Sequence, residues 1–148
     1  MDRALVVAEP TEDAKELVRE AGSLAEGVDS DIVLIHATTD EEYAGRRQAM
    51  ASIASPADSY TADDAREGAA QFARDIAEEV LTAFDVRYET AGFVGNKGDV
   101  TLEAAEEYDC DHVFLSGRKR SPTGKALFRD TTQRVLLEHD GPVTVVTT

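Results

Sequence analysis

Residues Ala4 to Ala37 read ALVVAEPTEDAKELVREAGSLAEGVDSDIVLIHA. The first five, ALVVA, form a short β-branched run bounded by Pro10, the pattern of a buried strand. After Thr11, Ala14, Leu17, Val18, Ala21, Leu24 and Ala25 recur every three or four residues, which places them on one stripe of a helix that stops before Gly27. DIVLIHA, Asp31 to Ala37, then reads as a second strand. Strand, helix, strand within so few residues is a crossover unit, and crossovers join parallel strands.

The same alternation continues to the end of the chain. Residues 39 to 60 have mixed character; a structureless loop of that length is unusual, so part of DEEYAGRRQAMASIA is expected to be helical or mobile. Ala65, Ala69, Phe72, Ile76, Val80 and Phe84 define a long helix from Asp63 to Phe84, and VRYETAGFV (Val86 to Val94) a third strand. GNKGD is a turn, with Asp99 as the expected N-cap of a helix through Val100, Ala104 and Tyr108. HVFLS (His112 to Ser116) is strand four, Thr131 to His139 a last helix, and GPVTVVTT strand five. The expectation is one α/β domain over residues 1–148: a doubly wound, five-stranded parallel sheet in the order 3-2-1-4-5 with helices on both faces. Ligands of such sheets bind beyond the carboxyl ends of the strands where the order reverses, which singles out the loops Glu9 to Glu12, Ala37 to Asp40 and Gly117 to Asp130.

Composition narrows the partners. With 30 Asp and Glu against 15 Lys and Arg, the net charge of −15 repels nucleic acid and anionic membranes. The four lysines and the acidic surface suit a protein working in high salt, where screening removes self-repulsion. A single cysteine, Cys110, builds no disulfide framework, and no Cys/His pattern has zinc-ligand spacing. No apolar run approaches the length of a spanning helix, and the first residues lack a secretory pattern, so a cytoplasmic setting is expected.

Against this acidic background, SGRKRSPTGKALFRDTTQ (Ser116 to Gln133) stands out. Arg118, Lys119, Arg120, Lys125, Arg129 and Arg134 are six of the 15 cations, gathered in 17 consecutive residues. An anionic ligand explains the clustering; pairing with the acidic surface, with Asp130 as the N-cap of the last helix, is the structural alternative. SPTGKA only imitates a phosphate-binding P-loop. Lys119 stands where the first glycine is required and Ala126 where a hydroxyl should hold magnesium. His36, His112 and His139 have no triad spacing, and His36 is expected to pack, partly buried, at the end of strand two.

Four segments together, ALVVAEPTEDAKELV, DIVLIHATTDE, GNKGDVTLEAAEEYDCDHVFLSG and VLLEHDGPVTVV, resemble the universal stress protein family in order and spacing. The resemblance implies an adenine nucleotide α-hydrolase-like fold, usually dimeric, one branch of which binds ATP or AMP, magnesium being the ion such a nucleotide would bring. In that branch the loop after strand four carries Gly, two residues, Gly, nine residues, then Gly and Ser or Thr. Backbone amides there receive phosphate. Counted from Gly117, the later glycine positions hold Arg120 and Asp130, with Thr131 keeping the hydroxyl; counted from Ser116 they hold Lys119 and Arg129, with Asp130 in the hydroxyl position. Either register puts an acid beside the phosphates, and Arg118, Lys119, Arg120 and Lys125 are the charges available to offset it. Ala8 and Glu9, at the end of strand one, match the positions near adenine and ribose, with Glu9 in place of the family's Asp. Ala37 matches a small residue lining the adenine pocket.

Three functions compete: a regulatory nucleotide-binding or anion-binding stress protein, a non-nucleotide dimer acting through protein contacts, and a nucleotide hydrolase. No nucleophile and base are spaced for catalysis, so the enzyme ranks last. The apolar, uncharged last strand favours a homodimer formed through that edge.

Overall fold

The computed structural model describes residues 1–52, 60–117 and 130–147. Its elements, in chain order, are β1 (Arg3–Val7), α1 (Glu12–Val28), β2 (Asp31–Thr38), α2 (Asp40–Ala51), α3 (Ala62–Val80), a 3₁₀ turn (Leu81–Ala83), β3 (Tyr88–Val94), α4 (Lys97–Glu107), β4 (His112–Gly117), α5 (Asp130–Glu138) and β5 (Val143–Thr147). All strand pairs are parallel and the sheet order is β3-β2-β1-β4-β5, as the alternation of elements predicts.

Side chains alternate across each strand, and the two resulting sets are both buried. Ala4, Val6 and Ala8, with Ile32, Leu34 and Phe114, meet Leu17, Val18 and Ala21 of α1 and Ile76, Ala77 and Val80 of α3. On the opposite face Leu5 and Val7, with Val33, Ile35, Val113 and Leu115, meet Val100, Ala104 and Ala105 of α4 and Val135 of α5. Helices therefore cover both faces, which explains why the central strands read as continuous apolar runs.

Local chemistry moves some boundaries from where periodicity put them. Thr11 caps α1, its side-chain oxygen accepting the Ala14 N–H, and the helix does not stop before Gly27 but runs to Val28. Asp29 ends it in the left-handed region (φ 58°, ψ 45°), returning its N–H to the carbonyls of Ala25 and Glu26. α4 is capped by Asn96, not Asp99: the Asn96 side-chain oxygen accepts the N–H groups of Gly98 at 2.9 Å and Asp99 at 3.1 Å. Within residues 39 to 60, α2 is a helix whose residues are exposed apart from half-buried Tyr43. Among the described residues little of α2 is buried, and its first turn is fixed by its cap. Thr39 and Glu42 form a reciprocal capping box, and the Tyr43 ring meets the Tyr60 ring at 5.7 Å.

Candidate functional site

β1 lies between β2 and β4, and the connections from its end and from the end of β4 leave toward opposite faces, so the crevice opens beyond their carboxyl ends. Ala8, Ala37 and Gly117 are buried there, and Ser116 is half-buried. Ala8 is fixed on both sides of its peptide: its N–H donates to the Ile35 carbonyl at 2.7 Å, and its carbonyl accepts from His36 Nδ1 at 2.8 Å. A carbonyl only accepts, so Nδ1 carries a proton. The His36 ring also packs on Phe72, with centroids 4.3 Å apart, which makes it the packing histidine expected at this strand end.

Glu9 does not stand alone. Its carboxylate Oε2 accepts a hydrogen bond from Lys97 Nζ at 2.8 Å, with the two side chains 21% and 33% exposed. This ion pair ties the loop after β1 to the first turn of α4, across 88 positions of sequence. Glu42 flanks it. Burial would push the Glu42 carboxyl up, but hydrogen bonds from the backbone and hydroxyl of Thr39, and the positive fields of Lys97 and His36, outweigh burial and hold it low. The β1–β2 side of the crevice thus holds an ammonium paired with one carboxylate and felt by a second.

Lys97 was not singled out by its sequence context, which put it in a turn ahead of a helix expected to start at Asp99; α4 in fact starts at Lys97. A cation in the first turn of a helix faces the positive end of the macrodipole and calls for a carboxylate partner. Finding which carboxylate required the fold.

On the β4 side, Ser116 and Gly117 end the strand, Asp130 opens α5, and Thr131 is half-buried in its first turn. Arg118, Lys119, Arg120 and Lys125, expected to clamp an anion, lie outside the described residues, as does Arg129. Arg134, the sixth cation of the stretch, is occupied: its guanidinium pairs with Asp99 of α4 and, at 2.7 Å, with Glu138. For that residue the surface-pairing alternative holds.

Other reactive groups sit elsewhere. Cys110 is buried, and burial pushes its thiol up to about 11, so it stays protonated at neutral pH. The His112 Nε2 lies 2.8 Å from the Thr144 hydroxyl, but at the amino ends of β4 and β5, away from the crevice. Among the described residues no group of His, Cys, Asp and Glu is arranged to hold a metal ion, and no helix is long and apolar enough to cross a membrane.

A parallel five-stranded sheet with its crevice at the β1/β4 switch point defines the class; the sequence then specifies the family. Residues 1–147 match the universal stress protein family, and the chain belongs to it. The sequence matches no curated protein. Among solved structures, the fold resembles the hypothetical protein MJ0577 with a TM-score of 0.72 at 16% identity, covering 99% of this chain and 96% of that one. It also resembles a universal stress protein in complex with cAMP, with a TM-score of 0.63, 16% identity and coverage of 99% and 96%. A universal stress protein from Archaeoglobus fulgidus in complex with dAMP aligns with a TM-score of 0.56, 14% identity and coverage of 98% and 96%. At such identities the likeness is one of fold.

Proposed function

We propose that this chain is a cytoplasmic, single-domain regulatory stress protein whose crevice binds ATP, AMP or another phosphorylated anion. The observation that carries this reading is the position of Glu9, a part-buried carboxylate at the switch point, beside the small buried residues Ala8, Ala37 and Gly117. In this reading Ala8 and Ala37 line the base pocket and Glu9 accepts from the ribose. Ser116, Gly117 and Thr131 offer hydroxyl and backbone groups to the phosphates, with Arg118, Lys119, Arg120 and Lys125 supplying charge against Asp130. Any magnesium would arrive with the nucleotide. Fold neighbours in complex with cAMP and dAMP support the ligand class.

Calorimetric titration with ATP, ADP and AMP tests the reading. Charge reversal of Lys119 and Arg120 to Glu is expected to abolish binding while leaving the fold intact, since loop tips tolerate substitution. Restoring the family pattern with Arg129→Gly and Asp130→Ser should tighten ATP by about tenfold to a hundredfold, by removing one repulsive charge and admitting closer backbone approach. If neither wild type nor the restored variant binds at millimolar nucleotide, the nucleotide reading fails.

The edge of the sheet supports a homodimer. Val143 to Val146 of β5 are only half-buried, and a groove of about 520 Å³ beside them is lined by Leu24, Val28, Phe114 and Val146 together with Glu16 and Glu20. A homodimer through β5 would cover this surface. Light scattering is expected to give twice 16.0 kDa at micromolar concentration; a monomer mass there and at high salt would overturn it.

A further inference from the structure

Resting on the nucleotide reading of the crevice, we propose that Lys97 sets its sugar specificity. A free carboxylate accepts the two hydroxyls of a ribose diol with its two oxygens, and each charge-assisted bond is a strong one. Here Oε2 of Glu9 is held by Lys97 Nζ at 2.8 Å, and among the described residues nothing else bonds to this carboxylate. Oε1 carries no bond, and Oε2 keeps a second lone pair, but the ammonium beside them takes up much of the charge that a hydroxyl would meet. In the nucleotide reading the paired carboxylate therefore takes either ribose hydroxyl less well than a free one would.

The pair is placed to persist. With only 21% and 33% of the side chains exposed, water screens it less than a surface pair. Glu42 is also near enough for the charge of Lys97 to help hold its carboxyl low. An ammonium so held does not yield its oxygen to a neutral hydroxyl.

The experiment compares AMP with its 2′,3′-dideoxy analogue by calorimetry on the full chain. Wild type is expected to bind the two within about threefold of each other, because the neighbouring ammonium weakens Glu9 as an acceptor for both hydroxyls. Lys97→Met frees Glu9 and should create a preference for AMP of about tenfold or more. Adding Glu9→Gln to Lys97→Met should erase that preference. Lys97→Gln, which also lacks the charge, serves if the methionine variant fails to fold. The inference is overturned if wild type already prefers AMP by tenfold, or if loss of Lys97 leaves the ratio unchanged. It is equally overturned if loss of Lys97 weakens both ligands, which would make Lys97 a phosphate contact. Absence of binding by wild type, the Lys97 variants and the loop-restored variant alike is a different outcome: it removes the nucleotide reading and this inference with it.

Discussion

Gly92→Ala is expected to cost about 3 kcal/mol or more and to leave little folded protein at elevated temperature. A Cβ built on Gly92 lies 2.2 Å from Ala70 N, 2.2 Å from Arg66 O and 2.9 Å from Ala69 C. All three are backbone atoms of α3, so no side chain can rotate away. Either the helix lifts from β3 or the strand bends. Gly92 also pairs with His36 in the β2 register, and His36 holds the Ala8 carbonyl, so a shift here reaches the crevice. Against a total stability of about 5 to 15 kcal/mol for a domain, the loss is large. Urea denaturation of wild type and variant measures it. A change below about 1 kcal/mol would mean that α3 adapts and that its backbone contact with β3 is not rigid.

Phe114→Ala is expected to cost about 3 to 5 kcal/mol. Phe114 is 1% exposed at the middle of β4, packed into the cluster under α1 with Val6, Leu17 and Leu34. Its ring also stacks on His112, with centroids 4.6 Å apart and planes 19° from parallel. Removing it deletes apolar burial and leaves a cavity that the flanking strands, fixed by their hydrogen bonds, fill only in part. Phe114→Leu keeps most of the volume and should lose less than half as much. Denaturant midpoints at unchanged slope would measure both; equal losses for the two variants would show that ring geometry rather than volume dominates.

Both predictions rest on contacts that periodicity alone does not reveal. β1 and β2 were legible because each is short, β-branched and buried on both faces, and the α1 and α3 stripes because helical spacing survives any register. From those alternations the parallel sheet follows, since a crossover joins each strand to the next. Composition likewise spoke directly against nucleic acid, because −15 is a property of the whole chain whatever its fold. Glu9, Ala37 and Gly117 were found as strand ends, and strand ends are where this topology gathers its loops.

Chain order does not say which side chains meet across the loops. Asn96 rather than Asp99 caps α4 because the cap must stand one residue outside the helix in extended conformation, a choice made by backbone angles. Gly92 reads as a weak position in a strand; only the docking of α3 makes it indispensable. Arg134 reads as one of six loop cations until α4 and α5 pack and set it against Asp99 and Glu138. Lys97 reads as a turn lysine until β1 and α4 converge on Glu9. Secondary structure and net charge are properties of neighbouring residues or of sums, so the sequence by itself determined them. The partners of individual charges depend on separations of a few ångströms between residues as many as 88 positions apart, and those only tertiary packing decides.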